Sequence, residues 1–216
     1  MKKIIFATGN KGKLKEASEI LGKNFTLITP ADLGILEEIP ETGSTLRENS
    51  IQKADYLWEK CKVDCFADDT GLEIDMLNGE PGVYTARYAG ESKSFEDNMT
   101  KVLEEMDKVE MAASFAAGMG LEIKPLERTA RFKSVITLIL NGEKICFEGC
   151  LEGWISRSRS GSFGFGYDPI FIAKEYPNLS LADISEAQKN EISHRGQALR
   201  KMAAYLKEID LTEAQG

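Results

Sequence analysis

Six short segments hold residues whose types and spacing suit phosphate chemistry: TGNKGK from Thr8, ETG from Glu41, the single Lys53, ADDTG from Ala67, FGFGYDP from Phe163 and SHRG from Ser193. Glu41 and Asp69 form a carboxylate pair able to hold Mg²⁺ with several retained waters, and such an ion can bridge phosphate oxygens. One of the two carboxylates can instead orient an attacking water. Lys53 can neutralise charge that develops on phosphates as a bond breaks. Together the segments carry what is needed to split a nucleoside triphosphate. Taken singly, each of these three charges reads more readily as a solvated surface group than as a catalytic one.

Asp68 and Asp69 are expected to end a strand and to precede a turn at Thr70-Gly71, where open α/β sheets present ligands. Successive strand residues face opposite sides, so one carboxylate points into a cleft while the other braces the turn. Asp69 is taken as the reactive one; an Asx turn is the alternative. In TGNKGK the backbone N–H groups and the dipole of the following helix suit an anion. It is not a Walker A loop, and a plain glycine turn fits it as well. FGFGYDP places glycines between aromatics, which suits a wall where backbone approaches a planar ligand, with Phe165 and Tyr167 beside it. Core aromatics joined by a turn at Asp168-Pro169 are the other reading. His194, the only histidine, precedes Arg195 at a helix start and offers donors to a keto oxygen, or else caps the helix.

These groups need elements to position them. Lys3 to Ala7 is a continuous apolar run that suits a buried strand. Asn10 reads as the N-cap of a helix carrying Leu14, Ala17 and Leu21 and ending at Gly22. A second helix is expected from Thr45 to Lys60, with Ala54, Leu57, Trp58 and Cys61 on its apolar stripe and Asn49 and Lys53 one turn apart on another. A strand over Cys65 to Ala67 follows. The next helix runs from Phe95 to Met106 with Ser94 as cap. Thr129 to Leu140 and Lys144 to Trp154 flank Asn141-Gly142, the signature of a hairpin with a type I′ turn. A closing amphipathic helix extends from Ser193 through Leu206. Strands alternating early and pairing late predict an α/β protein with a mixed sheet.

The chain has 216 residues, enough to bury a sizeable core as one domain, perhaps in two lobes. Its net charge of −8 excludes a long polyanion such as nucleic acid as the expected partner. No apolar run approaches the roughly 20 residues of a membrane span, and the N-terminus enters a strand directly, so no membrane partner is expected and a cytoplasmic location is. Cys61 with Cys65 and Cys146 with Cys150 are spaced only loosely for zinc; reduced thiols acting as small apolar groups are expected.

The order and spacing of ATGNKGKLKE, ETG, ENSIQKA, ADDTGLEID, PGVYTARYAG, FGFGYDPIF and ISHRGQAL resemble the inosine triphosphate pyrophosphatase family, the XTP/dITP diphosphatases, over nearly the whole chain. The resemblance implies an elongated, two-lobed α/β fold around a long mixed sheet flanked by helices, a cytoplasmic homodimer, and Mg²⁺-dependent attack of water on the α-phosphorus of dITP, ITP or XTP. By position it implies that Thr8, Gly9, Asn10, Lys11, Gly12 and Lys13 bind the triphosphate. Glu41 and Asp69 become metal ligands, Asp69 also the proton acceptor, and Lys53 and Asp68 supporting catalytic residues. Thr70, Phe165, Gly166, Tyr167, Asp168, Lys189, His194 and Arg195 become substrate contacts, the last two at the purine edge. Residues 109–127 match no family motif and read as an insertion or a piece of dimer surface. A Maf-like pyrophosphatase for pyrimidine or modified nucleotides, an aspartyl-phosphate phosphatase and a non-catalytic nucleotide-binding regulator are the alternatives.

Overall fold

A computed structural model describes residues 2–22 and 25–213. Among these the strands are β1 (Lys2–Phe6), β2 (Phe25–Ile28), β3 (Cys65–Ile74), β4 (Thr129–Leu140), β5 (Glu143–Ile155) and β6 (Phe171–Ala173). The α-helices are α1 (Lys11–Leu21), α2 (Leu46–Cys61), α3 (Phe95–Gly118), α4 (Glu186–Ile192) and α5 (His194–Glu213). The sheet order is β2-β1-β3-β4-β5-β6. β1 pairs in parallel with both β2 and β3, whereas β5 and β6 are antiparallel, so the sheet is mixed as expected.

The chain divides into two compact units. The first comprises residues up to Thr70, Lys133–Cys150 and those from Ile192 on; the second comprises Gly71–Phe132 and Leu151–Glu191. In the first unit, alternation along the strands sorts the core onto two faces. Ile4, Phe6, Phe66, Ile136 and Leu138 pack with Ala17 and Leu21 of α1 and with Ala198, Leu199, Met202 and Leu206 of α5. Ile5, Ala7, Cys65, Ala67 and Ile139 pack with Ala54 and Leu57 of α2. Phe6 and Phe66 stack at 4.3 Å between ring centroids, tying β1 to β3.

Local chemistry accounts for the element ends. Asn10 Oδ1 accepts from the N–H groups of Gly12 and Lys13 and caps α1. Thr45 and Glu48 form a reciprocal capping box on α2. Asn141 and Gly142 have φ of 51° and 84°, as a type I′ turn requires. In the second unit, Met99, Val102 and Met106 of α3 are buried, and Phe132 packs on Phe171 at 4.7 Å.

Two expectations change. β3 does not stop at Ala67 but continues to Ile74, so Asp68 and Asp69 lie inside a strand and Asp68 braces no turn. α3 does not stop at Met106 but continues to Gly118, taking in the first part of residues 109–127. The Ala-rich run Met111 to Ala117 propagates helix by propensity alone. Its large side chains stay exposed, Met111 at 72% and Phe115 at 74%, which is why the amphipathic signal ends at Met106. The closing helix begins beside Ser193 as expected, and a short further helix, α4, precedes it.

Candidate active site

Within β3 the two aspartates face opposite ways, and each meets its own set of cations. Asp68, on the face covered by α1 and α5, is 1% exposed and accepts from Lys13 Nζ at 3.0 Å and from Arg195 Nε at 3.0 Å. Arg195 Nη1 donates in turn to Glu16 Oε2 at 2.9 Å, and Ser193 Oγ donates to Glu16 Oε1 at 2.8 Å. Burial opposes the charge of Asp68, but Lys13, Arg195 and Lys53 outweigh it and hold the carboxyl well below its ordinary value. For Lys13 the balance runs the other way: burial outweighs Asp68 and lowers the amine.

Asp69, on the face covered by α2, accepts from Lys53 Nζ at 2.8 Å, and the same nitrogen donates to Glu41 Oε1 at 2.7 Å. Asn49, one turn before Lys53 on α2, donates from Nδ2 to Asp69 Oδ2 at 3.3 Å. Burial pushes the Asp69 carboxyl above its ordinary value; Lys53 pulls it back, and Glu41 and Asp68 add to the rise. Burial also works against the Lys53 charge, yet Asp69, Asp68 and Glu41 together raise its pKa. A carboxylate made more basic beside a fixed cation suits proton abstraction.

The ETG loop is brought to this point by α2. Gly43 N–H donates to Asn49 Oδ1 at 2.7 Å and Thr42 N–H to Gln52 Oε1 at 2.9 Å. A Cβ on Gly43 would come within 2.6 Å of Glu48 Cβ and 3.0 Å of the Asn49 nitrogen, so only glycine lets the loop lie this close to the helix. Glu41 and Asp69 therefore converge on one ammonium group, and their hard oxygens fit Mg²⁺. Among the described residues no three His, Cys, Asp or Glu side chains gather as a metal cage. Two carboxylates completed by phosphate and water match how Mg²⁺ is commonly bound.

The loop from Thr8 to Lys13 is partly committed to itself. Asn10 occupies the N–H groups of Gly12 and Lys13, and its own N–H donates to Thr8 Oγ1 at 3.1 Å. Lys13 turns to Asp68 instead of back into the loop, while Gly9 and Lys11 are exposed. Thr70 Oγ1 donates to Ser134 Oγ at 3.3 Å. His194 has both ring nitrogens buried.

In the second unit, Asp168 is 3% exposed and accepts from Phe165 N–H at 2.7 Å and from Lys189 Nζ. Lys189 Nζ lies 4.2 Å from the Phe165 ring centroid, a cation–π contact. Tyr167, buried, donates its hydroxyl to Thr85 O at 2.8 Å and so anchors the loop instead of offering its ring. Gly164 has φ of 85°, and a Cβ there would sit 2.2 Å from Asp168 Oδ2. Gly166 also has positive φ, at 65°. Phe165, 57% exposed, and Phe163, 70% exposed, are the rings of this segment left open to a planar ligand.

Thus Glu41, Lys53, Asp68, Asp69, Lys13 and Arg195 meet in the first unit, and Phe165, Asp168 and Lys189 meet in the second. Sequence reasoning missed Glu16, Asn49 as an Asp69 partner, and Ser134. Asn49 was within reach, since its spacing from Lys53 places both on one helical face. Glu16 was not, because its partners lie 177 and 179 residues away.

Fold and site together define an α/β protein whose first unit sets buried carboxylates on both faces of β3 against lysine and arginine side chains. The chain belongs to the Ham1 family, whose profile matches residues 4–205. It is 42% identical over 200 residues to the dITP/XTP pyrophosphatase of Flavobacterium johnsoniae, covering 93% of this chain and 95% of that one. It is 43% identical over 204 residues to the dITP/XTP pyrophosphatase of Christiangramia forsetii, covering 94% and 98%. A HAM1 protein from Coxiella burnetii superposes with a TM-score of 0.85 at 35% identity, over 96% of this chain and all of the other. The resemblance read from the motifs thus holds across the fold as well as the sequence.

Proposed function

We propose that this protein hydrolyses dITP, ITP and XTP to the nucleoside monophosphate and pyrophosphate with the help of Mg²⁺, clearing non-canonical purines from the nucleotide pool. The observation that carries this reading is the convergence of Asp69 and Glu41 on Lys53 in a chain whose relatives are named dITP/XTP pyrophosphatases. Held by Glu41 and Asp69, Mg²⁺ supplies positive charge to the phosphate oxygens. Asp69 accepts the proton of the attacking water. Lys53 keeps the two carboxylates in register and offsets charge on the departing pyrophosphate. Asp68 holds Lys13 and Arg195 in place.

Thr8, Gly9, Asn10, Lys11, Gly12, Lys13 and Thr70 are assigned to the triphosphate. Phe165, Gly166, Tyr167, Asp168, Lys189, His194 and Arg195 are assigned to the nucleoside, with Tyr167 and Asp168 acting through the loop they hold. A donor at the purine 6-position accepts hypoxanthine and xanthine and mismatches adenine. One catalytic domain spanning residues 1–216, a homodimer and a cytoplasmic location complete the reading. No helix among the described residues is long and apolar enough to cross a membrane.

The test is to incubate the purified protein with Mg²⁺ and, separately, dITP, XTP, dATP, dGTP and dTTP, resolving pyrophosphate from orthophosphate. Pyrophosphate released mainly from dITP and XTP is the expected result. Orthophosphate, a pyrimidine preference or no turnover overturns it. Sedimentation at several concentrations tests the dimer.

A further inference from the structure

Both carboxylate oxygens of Glu16 are engaged with the segment that opens α5. Oε1 accepts from Ser193 Oγ at 2.8 Å, and Oε2 from Arg195 Nη1 at 2.9 Å. The side chains of Glu16 and Arg195 are only 13% and 10% exposed, so solvent competes little for this pair. The Ser193 hydroxyl, while donating to Glu16, accepts from Gly196 N–H at 2.8 Å and so covers the first turn of α5. That first turn contains no acidic residue of its own. Glu16 therefore brings the negative charge that a helix N-terminus favours, and it brings it from another helix.

The position it fixes has little slack. A Cβ on Gly149 of β5 would lie 1.9 Å from His194 O, so sheet backbone and the start of α5 are in direct apposition. Gln197 accepts from Cys150 N–H at 3.2 Å and donates to Ile192 O at 3.0 Å on the same turn. Arg195 stands between two carboxylates, Glu16 and Asp68, and Asp68 stands between two cations, Arg195 and Lys13. Removing the charge of Glu16 leaves Arg195 and Lys13 to share Asp68 alone, and the guanidinium and the helix start are free to shift.

We propose that Glu16 is a positioning and specificity-determining residue, which from α1 sets the start of α5 and hence the placement of His194 and Arg195. The inference rests on the reading of His194 and Arg195 as purine-edge contacts. It names no contact between Glu16 and substrate.

Glu16→Gln keeps the side-chain volume and removes the charge. The expected result is a folded protein whose ratio of kcat/KM for dITP over dATP falls about tenfold, a size in keeping with losing one aligned polar contact. A merely structural role would lower turnover of both nucleotides in step with thermal stability. His194 is the sole histidine, so its imidazole gives one NMR signal set. In Glu16→Gln that signal is expected to move in the free protein without a matching change in Tm. Should Glu16→Gln not fold, Ser193→Ala, which removes only the relayed hydroxyl, is expected to move the same two readouts. An unmoved imidazole signal together with an unchanged ratio overturns the proposal. A wild-type protein without dITP preference defeats the substrate reading, and the imidazole signal alone then decides whether Glu16 positions α5.

Discussion

Asp68 and Asp69 are adjacent in sequence, yet their carboxyls shift in opposite directions, because one pleat sends them to different faces of β3. Asp69 is the group whose loss should remove chemistry and leave the architecture alone. Asp69→Asn is expected to lower kcat for dITP about 10³-fold, within the range for a lost general base, while circular dichroism stays that of the wild type. Activity retained within tenfold would assign the proton to another group. His194→Ala is expected to narrow the dITP-over-dATP ratio of kcat/KM; an unchanged ratio removes His194 from base selection. Cys65 offers a separate check. Burial pushes its thiol up to about 12, so at pH 8 iodoacetamide should modify it only after denaturation, which peptide mass spectrometry can follow. At this scale the sequence made residue types legible but not partners: Asp68 meets Lys13 and Arg195 across 55 and 127 residues, and no local pattern records such a distance.

Elements were legible wherever local chemistry and burial agreed. The start of α2 at Thr45, its apolar stripe and the Asn-Gly turn each state locally what the fold requires, and each appears as expected. β6 was not legible, since its three residues have no periodicity and depend on Gly153, where a Cβ would stand 2.1 Å from Ile172 O. The extension of α3 was illegible for a different reason, helix propensity persisting beyond Met106 without a buried face to mark it. Caps give the cleanest prediction at this scale. Thr45→Ala removes the acceptor for Glu48 N–H and should cost about 1 kcal/mol in urea unfolding. Because α2 carries Asn49 and Lys53, its first turn also holds the Glu41 loop, and KM for Mg²⁺ should rise in the same variant. A stability loss with an unaltered metal dependence would show that the loop is held without the cap.

For the molecule as a whole, the buried charges of the first unit tie stability to pH, and the sign differs between the two aspartates. Asp68 has a depressed folded pKa, so its contribution is fully present above its ordinary value of 3.8 and is lost as pH falls through the folded value. Asp69 has a raised folded pKa, so its contribution is present below 3.8 and is lost as pH rises through the folded value; at neutral pH its ionised form disfavours the fold. Asp68→Asn leaves Lys13 and Arg195 without their shared carboxylate and should cost about 3–5 kcal/mol at pH 7, as removal of one partner from a buried ion pair does. Asp69→Asn should instead raise stability at pH 7 while turnover falls, the trade expected where a site retains an unfavourable charge for chemistry. The chain has two tryptophans, Trp58 in the first unit and Trp154 in the second, so a Trp154→Phe background lets Trp58 fluorescence report the unit that contains both aspartates. Urea midpoints at pH 7, 5 and 3 should then separate the variants. The Asp68→Asn deficit should shrink only below pH 3.8, and the Asp69→Asn gain should vanish there. Parallel midpoints at all three values would mean that each aspartate titrates alike in the folded and the unfolded chain, so that the opposed ion clusters on the two faces of β3 add no net stability through its ionisation.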